Sequence, residues 1–234
     1  MTDKCKLMIV STSTIYGSEF LEYIKNEIKS FIKTDELLFV PFAKPSGISF
    51  DDYTQKVQNA VKDLGIKVTG LHEYEDKKQA IENAKSIFTG GGNTFLLLKT
   101  LYDFDLIETL RNVILNGTPY IGTSAGSNIT GQTIGTTNDM PIVYPPSFDA
   151  LKIVPFNINP HFIEADPNST HKGETREQRI DEFLKVNNLK VIGLKEGSWL
   201  EVLNGNITLK GNLEAIIFEQ NKENQIIKPG DLII

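Results

Sequence analysis

Short apolar runs alternate with amphipathic stretches along the first 130 residues of the chain. In the amphipathic stretches the apolar residues recur at spacings of three and four, which is the period of a helix with one buried face. The apolar runs are short and nearly continuous, as in strands that are buried on both faces of a sheet. This alternation predicts βαβ units and therefore an α/β fold with a doubly wound, mostly parallel sheet.

The predicted elements follow one another with short connections. We expect strands at residues 7–10, 37–40, 67–71, 87–89 and 120–121. We expect helices at residues 18–33, 53–64, 94–101 and 105–115, the second of them ending at Gly65. A short helical run is also expected after Ser124, up to about residue 130.

The pattern changes after residue 130. Five prolines lie between residues 138 and 160, and each removes a backbone donor and disfavours helix at the residue before it. We therefore expect a long loop with extended pieces, and such loops usually serve function. A helix at 175–186 and a strand at 191–194 follow. Asn204-Gly205 favours a type I′ turn and predicts a C-terminal antiparallel hairpin. The whole chain, residues 1–234, is predicted to be one domain.

The composition excludes several classes of protein. The chain has 24 basic against 30 acidic side chains, a formal charge of −6, so it lacks the basic surface that nucleic-acid binding requires. One cysteine and three histidines do not supply a zinc site of the usual spacing, and we expect neither a metal nor another cofactor. No apolar run is long enough for a membrane span or a signal-peptide core. We therefore expect a cytoplasmic protein without a nucleic-acid or membrane partner.

The sharpest local motif is Gly122-Thr123-Ser124-Ala125-Gly126, which fits G-x-S-x-G between a predicted strand and a predicted helix. In a nucleophile elbow, such a tight turn with small neighbours holds the serine oxygen clear of the sheet. Ser124 would then be the nucleophile, and the Ala125 N–H would stabilise the oxyanion. The alternative is a glycine-rich turn that binds phosphate or only packs closely.

A second glycine run, Gly90-Gly91-Gly92-Asn93-Thr94, also follows a predicted strand and opens a helix. Both turns lie at the carboxyl ends of parallel strands, where open α/β sheets bind their ligands, so we expect them to meet. Backbone N–H groups near Gly92 are suited to hold a negatively charged oxygen at a helix N-terminus. A nucleotide-phosphate loop is the alternative, although the run lacks the usual G-x-G-x-x-G and G-K-[ST] patterns.

A catalytic serine needs a base, and the chain offers His72, His161 and His171. His161 stands at the end of the proline-rich loop, directly after an apolar extended run, and this position favours it. His72 stands beside glutamates at the end of a predicted strand, and His171 lies in a polar stretch. A structural role is the alternative for each of them.

The carboxylate that would orient this histidine has two candidates. Asp139 lies in the proline-rich loop and gives the chain order Ser, Asp, His. Glu196 follows the predicted strand at 191–194, so it too is expected at the carboxyl edge. A turn-forming aspartate and a solvated glutamate are the structural alternatives, and spacing does not choose between the two.

Arginine is rare in this chain, yet two of the three arginines lie one turn apart in a predicted helix, at Arg176 and Arg179. Arginine presents a planar fork that fits a carboxylate, which lysine does not. The pair is therefore a candidate carboxylate site. Surface ion pairs with the neighbouring glutamates are the alternative.

Seven ordered segments together resemble the peptidase E family, the aspartyl dipeptidases, a group of serine peptidases. They are residues 90–94 (GGGNT), 124–128 (SAGSN), 136–143 (TTNDMPIV), 145–151 (PPSFDAL), 158–162 (INPHF), 171–180 (HKGETREQRI) and 191–199 (VIGLKEGSW). The resemblance implies a flavodoxin-like, glutamine amidotransferase-like fold and the hydrolysis of dipeptides that bear an N-terminal aspartate.

The resemblance also implies roles for individual residues. Ser124 matches the family's nucleophile and His161 its base, while the third member has been described at the positions of both Glu196 and Asp139, so both stay open. Arg176 is expected to bind the aspartate side chain of the substrate. Asn93, after the glycine run, is also expected to bind substrate. Ser127 replaces a familiar alanine and is expected to affect the shape of the pocket.

The expected partner is a small peptide with an N-terminal aspartate, bound by a monomer or a homodimer. A cyanophycinase-like peptidase or another small acyl hydrolase of the same fold is the alternative among enzymes. A non-catalytic small-ligand binding module is the alternative from another class.

Overall fold

A computed structural model describes residues 3–166, 168, 170 and 173–233 of the chain. The strands of this part of the chain are β1 (Leu7–Val10), β2 (Glu36–Val40), β3 (Lys67–Gly70), β4 (Ile87–Thr89), β5 (Tyr120–Thr123), β6 (Asn157–Pro160), β7 (Val191–Leu194), β8 (Ser198–Leu203), β9 (Asn206–Gly211), β10 (Ala215–Phe218) and β11 (Gln225–Ile227). The α-helices are α1 (Lys25–Ile32), α2 (Phe50–Val61), α3 (Lys77–Glu82), α4 (Thr94–Asp103), α5 (Ile107–Leu115), α6 (Ala125–Asn128) and α7 (Arg176–Val186).

The larger sheet has the strand order β3-β2-β4-β5-β1-β8-β9. Its first five strands pair in parallel, and β8 and β9 continue it in antiparallel fashion. Asn204 and Gly205 between β8 and β9 both have positive φ, 52° and 79°, as a type I′ turn requires. The predicted α/β class, its mostly parallel sheet and its antiparallel hairpin are confirmed.

Helices cover both faces of the larger sheet. In β1, Leu7 and Ile9 join the core cluster that contains residues of α3, α4 and α5. Met8 and Val10 point to the other face, where α1 and α2 pack. Successive side chains of a strand alternate between the faces, so burial on both sides explains why this strand reads as a continuous apolar run.

A smaller sheet, with the order β11-β10-β7-β6, was not predicted as a sheet, although its strand β7 was expected at residues 191–194. The strands β6 and β7 are parallel, whereas β10 and β11 are antiparallel to their neighbours. The sequence pattern does not predict this sheet because β6 ends in a proline inside the proline-rich segment and β11 has only three residues. Helix α7 packs Ile180 and Leu184 against its outer side, in a cluster that includes Phe162.

Two differences concern helices. The first helix begins at Lys25 and not at residue 18, because Leu21 has a φ of +60° and its N–H donates to the carbonyl of Ser13 at 2.8 Å. A left-handed residue interrupts the helical hydrogen-bond ladder. The helix α3 was not expected, since six residues are too few to show a period; Asp76 caps its N-terminus.

The carboxyl ends of strands from both sheets meet at one edge of the molecule. The Ser11 hydroxyl, just after β1, donates to the carbonyl of Leu194 at the end of β7 at 2.7 Å. The turns after β4, β5, β6 and β7 carry Gly92, Ser124, His161 and Glu196, respectively. No helix in the described part of the chain is long and apolar enough to cross a membrane.

Candidate active site

Ser124 stands in the tight turn between β5 and α6. Its backbone has φ 51° and ψ −107°, a strained combination for a residue with a side chain. A Cβ on Gly122 would lie 2.3 Å from the carbonyl oxygen of Gly126, and a Cβ on Gly126 would lie 2.1 Å from that of Thr89. Because these distances are too short for a Cβ atom, only glycine fits at position 122 and at position 126. The turn therefore holds Ser124 partly exposed above buried neighbours, as in a nucleophile elbow.

His161 follows β6 and lies against this serine. Its Nε2 is 2.9 Å from Ser124 Oγ. The His161 backbone has a φ of +54°, and its N–H donates to Ser11 Oγ at 2.9 Å. The ring is therefore within hydrogen-bond reach of the serine, which is the geometry that a general base requires.

Glu196 follows β7 and contacts the other side of the same ring. Its Oε1 lies 2.6 Å from His161 Nδ1. An ionised carboxylate only accepts hydrogen bonds, so Nδ1 carries the proton and donates it to Glu196. This leaves the lone pair of Nε2 free to accept the hydroxyl hydrogen of Ser124. The three side chains are thus hydrogen-bonded in the order serine, imidazole, carboxylate.

Asp139 makes different contacts. Its Oδ2 accepts hydrogen bonds from the Thr94 N–H at 2.7 Å and from the Thr94 hydroxyl at 2.6 Å, and the Thr137 hydroxyl donates to it at 3.2 Å. Thr94 is the first residue of α4, so this carboxylate binds the N-terminus of that helix. Of the two candidate carboxylates, the structure brings Glu196 to His161 and Asp139 to the glycine run.

The glycine run approaches the serine closely because it has no side chains. A Cβ on Gly91 would lie 3.1 Å from the Ser124 Cβ. Gly92 has a φ of +136°, and a Cβ there would lie 2.4 Å from the carbonyl oxygen of Ala43. The Tyr53 hydroxyl donates to the Gly91 carbonyl at 3.0 Å, and burial raises the pKa of Tyr53, so the phenol remains a donor.

Two backbone N–H groups in these turns are candidate oxyanion donors. Among the described residues, neither the Gly92 N–H nor the Ala125 N–H donates a hydrogen bond to the protein. Each follows a parallel strand and is close to a helix N-terminus, where the helix dipole favours negative charge. Such donors are suited to stabilise a developing oxyanion.

Asn93 is engaged within the protein. Its side-chain oxygen accepts from the Leu96 N–H at 3.0 Å as the N-cap of α4. Its side-chain NH₂ donates to the carbonyl of Met140 at 2.8 Å. These contacts join the glycine run to the proline-rich loop, and the second N–H of the amide has no acceptor among the described residues.

Arg176 begins α7, where Thr175 and Gln178 form a capping box. Among the described residues, Arg179 pairs with Glu174 at 3.5 Å, whereas Arg176 has no ion pair. Burial lowers the pKa of the Arg176 guanidinium and the charge of Arg179 lowers it further, while the Asp139 carboxylate raises it. Arginine nevertheless remains charged at accessible pH. Arg176 is therefore a half-buried cation without a bound carboxylate.

A surface cavity of about 380 Å³ lies beside Arg176, within the range of small-ligand sites. Residues 163–166 and 173–176 line it together with Arg179. The first of these segments begins two residues after His161. The cavity therefore adjoins the turn that carries the imidazole.

The remaining sequence candidates lie elsewhere. His72 contacts Asp51, with its Nε2 2.8 Å from the carboxylate, and His171 lies outside the described residues. Ser127 is fully buried, and its hydroxyl lies 2.6 Å and 2.7 Å from the carbonyl oxygens of Val10 and Gly122. Ser127 thus packs beneath the turn, and its expected effect on the shape of the pocket stays a prediction.

Two residues that hold the site were not predicted from the sequence. Tyr53 reads as one apolar position in a helical stripe, yet its hydroxyl binds the glycine run. Ser11 follows a buried strand directly, which is the same signal that selected the two glycine turns and Glu196. That position marks it as a residue of the carboxyl edge.

A serine on a strained strand-to-helix turn, hydrogen-bonded to an imidazole that a carboxylate orients, is the arrangement of α/β serine hydrolases. The comparisons with known proteins give the family. The chain belongs to peptidase family S51, whose model matches residues 7–210, and it is a peptidase.

Similar proteins cover nearly the whole chain. The probable alpha-aspartyl dipeptidase of Drosophila melanogaster is 40% identical over 233 residues, which are 98% of this chain and 96% of that protein. Peptidase E of Streptomyces coelicolor is 45% identical over 215 residues, 92% of this chain and 87% of that protein. The crystal structure of a peptidase from an acI-B1 Actinobacterium is similar with a TM-score of 0.73 at 17% identity, covering 99% of this chain and 98% of the other. At that identity, the last comparison supports the fold alone.

Proposed function

We propose that this peptidase is a serine dipeptidase that hydrolyses dipeptides with an N-terminal aspartate. The observation that carries the proposal is the hydrogen-bonded series Ser124, His161 and Glu196. Arg176, which has no ion pair among the described residues, lines a cavity that Ile163, two positions after His161, also lines. The names of the relatives agree, since they are called alpha-aspartyl dipeptidase and peptidase E.

In the acylation step, Ser124 Oγ attacks the carbonyl carbon of the aspartyl residue while its proton passes to His161 Nε2. Glu196 accepts a hydrogen bond from Nδ1 and stabilises the imidazolium that forms. The Gly92 and Ala125 N–H groups donate to the oxyanion. When the peptide C–N bond breaks, the imidazolium gives its proton to the leaving amine, and an acyl-enzyme remains.

In the deacylation step, water takes the place of the amine. His161 accepts a proton from water as the new C–O bond forms, and it returns a proton to Ser124 Oγ as the ester bond breaks. The products are aspartate and the second amino acid. Every proton transfer passes through His161 Nε2, and no step requires a metal ion or an organic cofactor.

Arg176 is the residue to which we assign the side-chain carboxylate of the substrate. A guanidinium binds a carboxylate through two parallel N–H···O bonds. Its half-buried position makes that pairing stronger than an exposed ion pair. Asp139 remains bound to Thr94, and Asn93 remains bound to Leu96 and Met140, so both support the loop in this proposal.

We also propose that the enzyme works in the cytoplasm. Cys5 is a buried free thiol, and burial raises its pKa to about 11, so it is neither a nucleophile nor a disulfide partner at neutral pH. A thiol without a partner fits a reducing compartment.

Replacing the nucleophile tests the reaction type. We expect Ser124→Ala to lower kcat for Asp-Leu hydrolysis by at least about 10³-fold with the fold intact, because no other group in the turn can form the acyl-enzyme. Steady-state kinetics on purified protein, with circular dichroism to verify folding, measure this. Undiminished hydrolysis by the alanine variant would sink the serine mechanism.

The specificity is tested separately at Arg176. We expect Arg176→Met to lower kcat/KM for Asp-Leu by about 10- to 100-fold, the value of a lost charge-assisted pair, with little change for Ala-Leu. Arg179→Met is the matched control, since Arg179 already pairs with Glu174. Equal losses on both dipeptides in the Arg176 variant would show that this arginine is structural.

A further inference from the structure

The end of β1 lies between the two sheets, and a buried hydroxyl there connects them. Ser11 is fully buried. Its Oγ donates to the carbonyl of Leu194 at 2.7 Å and accepts the His161 N–H at 2.9 Å. These partners are 183 and 150 residues away in the sequence. One side chain of the larger sheet thus binds the carboxyl ends of β6 and β7 in the smaller sheet.

Ser11 and its neighbour Val10 also bind the backbone around the nucleophile and the carboxylate. The Val10 carbonyl accepts the Ser124 N–H at 3.1 Å, and the Ser11 N–H donates to the Ser198 carbonyl at 3.1 Å. Leu194 and Ser198 stand two residues before and after Glu196. The segment 10–11 therefore contacts the backbone at Ser124, at His161 and on both sides of Glu196.

The bond to His161 acts on a backbone that is held in an unfavourable conformation. The left-handed region is unfavourable for a residue with a side chain, and His161 has a φ of +54°. Its N–H has the Ser11 hydroxyl as its acceptor. Without this acceptor, the partly buried N–H loses its partner in the protein and the backbone is free to relax, which moves the ring relative to Ser124.

We propose that Ser11 is a positioning residue that sets the distance between the nucleophile on the larger sheet and the base and carboxylate on the smaller one. The proposal rests on the catalytic roles assigned above. Ser11 does not touch the reacting atoms; it acts through the backbone of His161 and through Leu194. Since a displacement of about 1 Å can cost about 10²-fold in rate, we expect loss of the Ser11 hydroxyl to lower kcat.

The experiment compares Ser11→Ala with Ser11→Thr, which keeps the hydroxyl, and with Ser86→Ala as a control. Ser86 is also fully buried, and its hydroxyl donates to the carbonyl of Glu36 at 2.6 Å, next to the start of β4 and away from the carboxyl edge. Two rates are measured: hydrolysis of Asp-Leu, and phosphonylation of Ser124 by a fluorophosphonate. The second rate does not depend on dipeptide specificity.

We expect Ser11→Ala to lower kcat and the phosphonylation rate by about tenfold or more, with KM changed by less than about threefold. Ser11→Thr should recover most of both rates, and Ser86→Ala should leave both unchanged although it loses an equivalent buried hydrogen bond. Should Ser11→Ala not fold, Ser11→Cys carries the same expectation, because a thiol keeps the volume but bonds weakly.

Two results overturn the proposal: equal rates in the Ser11→Ala and Ser86→Ala variants, or a loss in Ser11→Ala that appears in KM alone. A wild-type protein that reacts with the fluorophosphonate but hydrolyses no aspartyl dipeptide would contradict the proposed function. The phosphonylation rates of the variants would still decide the role of Ser11.

Discussion

At the residue scale, the two candidate carboxylates differ in the donors that they bind. Glu196 accepts from the imidazole of His161 at 2.6 Å. Asp139 accepts from the backbone and the hydroxyl of Thr94. Both stand in turns at the same edge of the sheet, and both are acidic, so residue type and position alone do not separate them. Their partners do.

This difference predicts opposite outcomes for two conservative substitutions. An amide at position 196 removes the charge that favours imidazolium and offers donors to His161 Nδ1, which favours the tautomer with a proton on Nε2. We expect Glu196→Gln to lower kcat by about 10²-fold; the loss in a buried triad reaches about 10⁴-fold, but the Glu196 side chain is 46% exposed and water compensates in part. Steady-state kinetics on Asp-Leu measure the change.

Asp139→Asn is the matched control. It should change kcat by less than about fivefold and lower the free energy of unfolding by about 1 kcal/mol through the weakened contact with the N-terminus of α4. Urea denaturation measures the stability. A large loss of kcat in the Asp139 variant with full activity in the Glu196 variant would reverse the assignment.

At the element scale, helix α7 connects Arg176, the residue proposed to bind the substrate carboxylate, to the segment that carries His161. Arg176 is its first residue, and Thr175 with Gln178 forms the capping box that fixes this end. Further along the helix the contacts are apolar, because Ile180 and Leu184 pack in one cluster with Phe162, the neighbour of His161. The position of the guanidinium therefore depends on how firmly the first turn of the helix is held.

Removal of the cap should loosen that turn. We expect Thr175→Ala to destabilise the protein by about 1 kcal/mol and to raise KM for Asp-Leu by a few-fold while kcat changes less, because the helix start moves and the catalytic side chains do not. Asp76→Ala is the control, since Asp76 caps α3 in the same way and α3 carries no residue of the site. A similar rise in KM in both variants would contradict the argument.

At the scale of the whole molecule, one core cluster extends across both sheets. It contains Leu7 and Ile9 of β1 together with Ile158 of β6 and Ile192 and Leu194 of β7. The hydrogen bonds of Ser11 also connect the larger sheet to the smaller one. Because this cluster takes side chains from both sheets, we propose that the chain is one domain and unfolds as one unit.

Calorimetry tests this directly. We expect a single endotherm with a calorimetric enthalpy equal to the van't Hoff enthalpy, and loss of Trp199 fluorescence and of peptidase activity at the same temperature. Trp199 reports on β8 in the larger sheet, whereas activity reports on the junction between the sheets. Two endotherms, or activity lost well before the fluorescence changes, would indicate units that unfold separately.

Much of the fold could be predicted because it depends on local pattern. The five parallel strands of the larger sheet, most of the helices that cover it and the Asn204-Gly205 hairpin leave a clear periodic or turn signal. The smaller sheet has weaker signals: β6 ends in a proline, and β11 has three residues. The start of α1 depends on the left-handed Leu21 and its bond to Ser13, which no period reveals.

The sequence by itself determined the residue types of the site, because the strained turn requires glycines around Ser124 and because the chain has only three histidines. Tertiary structure decided the geometry: which carboxylate reaches His161, which arginine has no ion pair among the described residues, and that Ser11 joins strands more than 140 residues apart. The physical reason is the separation along the chain over which each interaction acts. Backbone strain and helical period act between neighbours in the chain, whereas hydrogen bonds across the carboxyl edge depend on how two sheets pack.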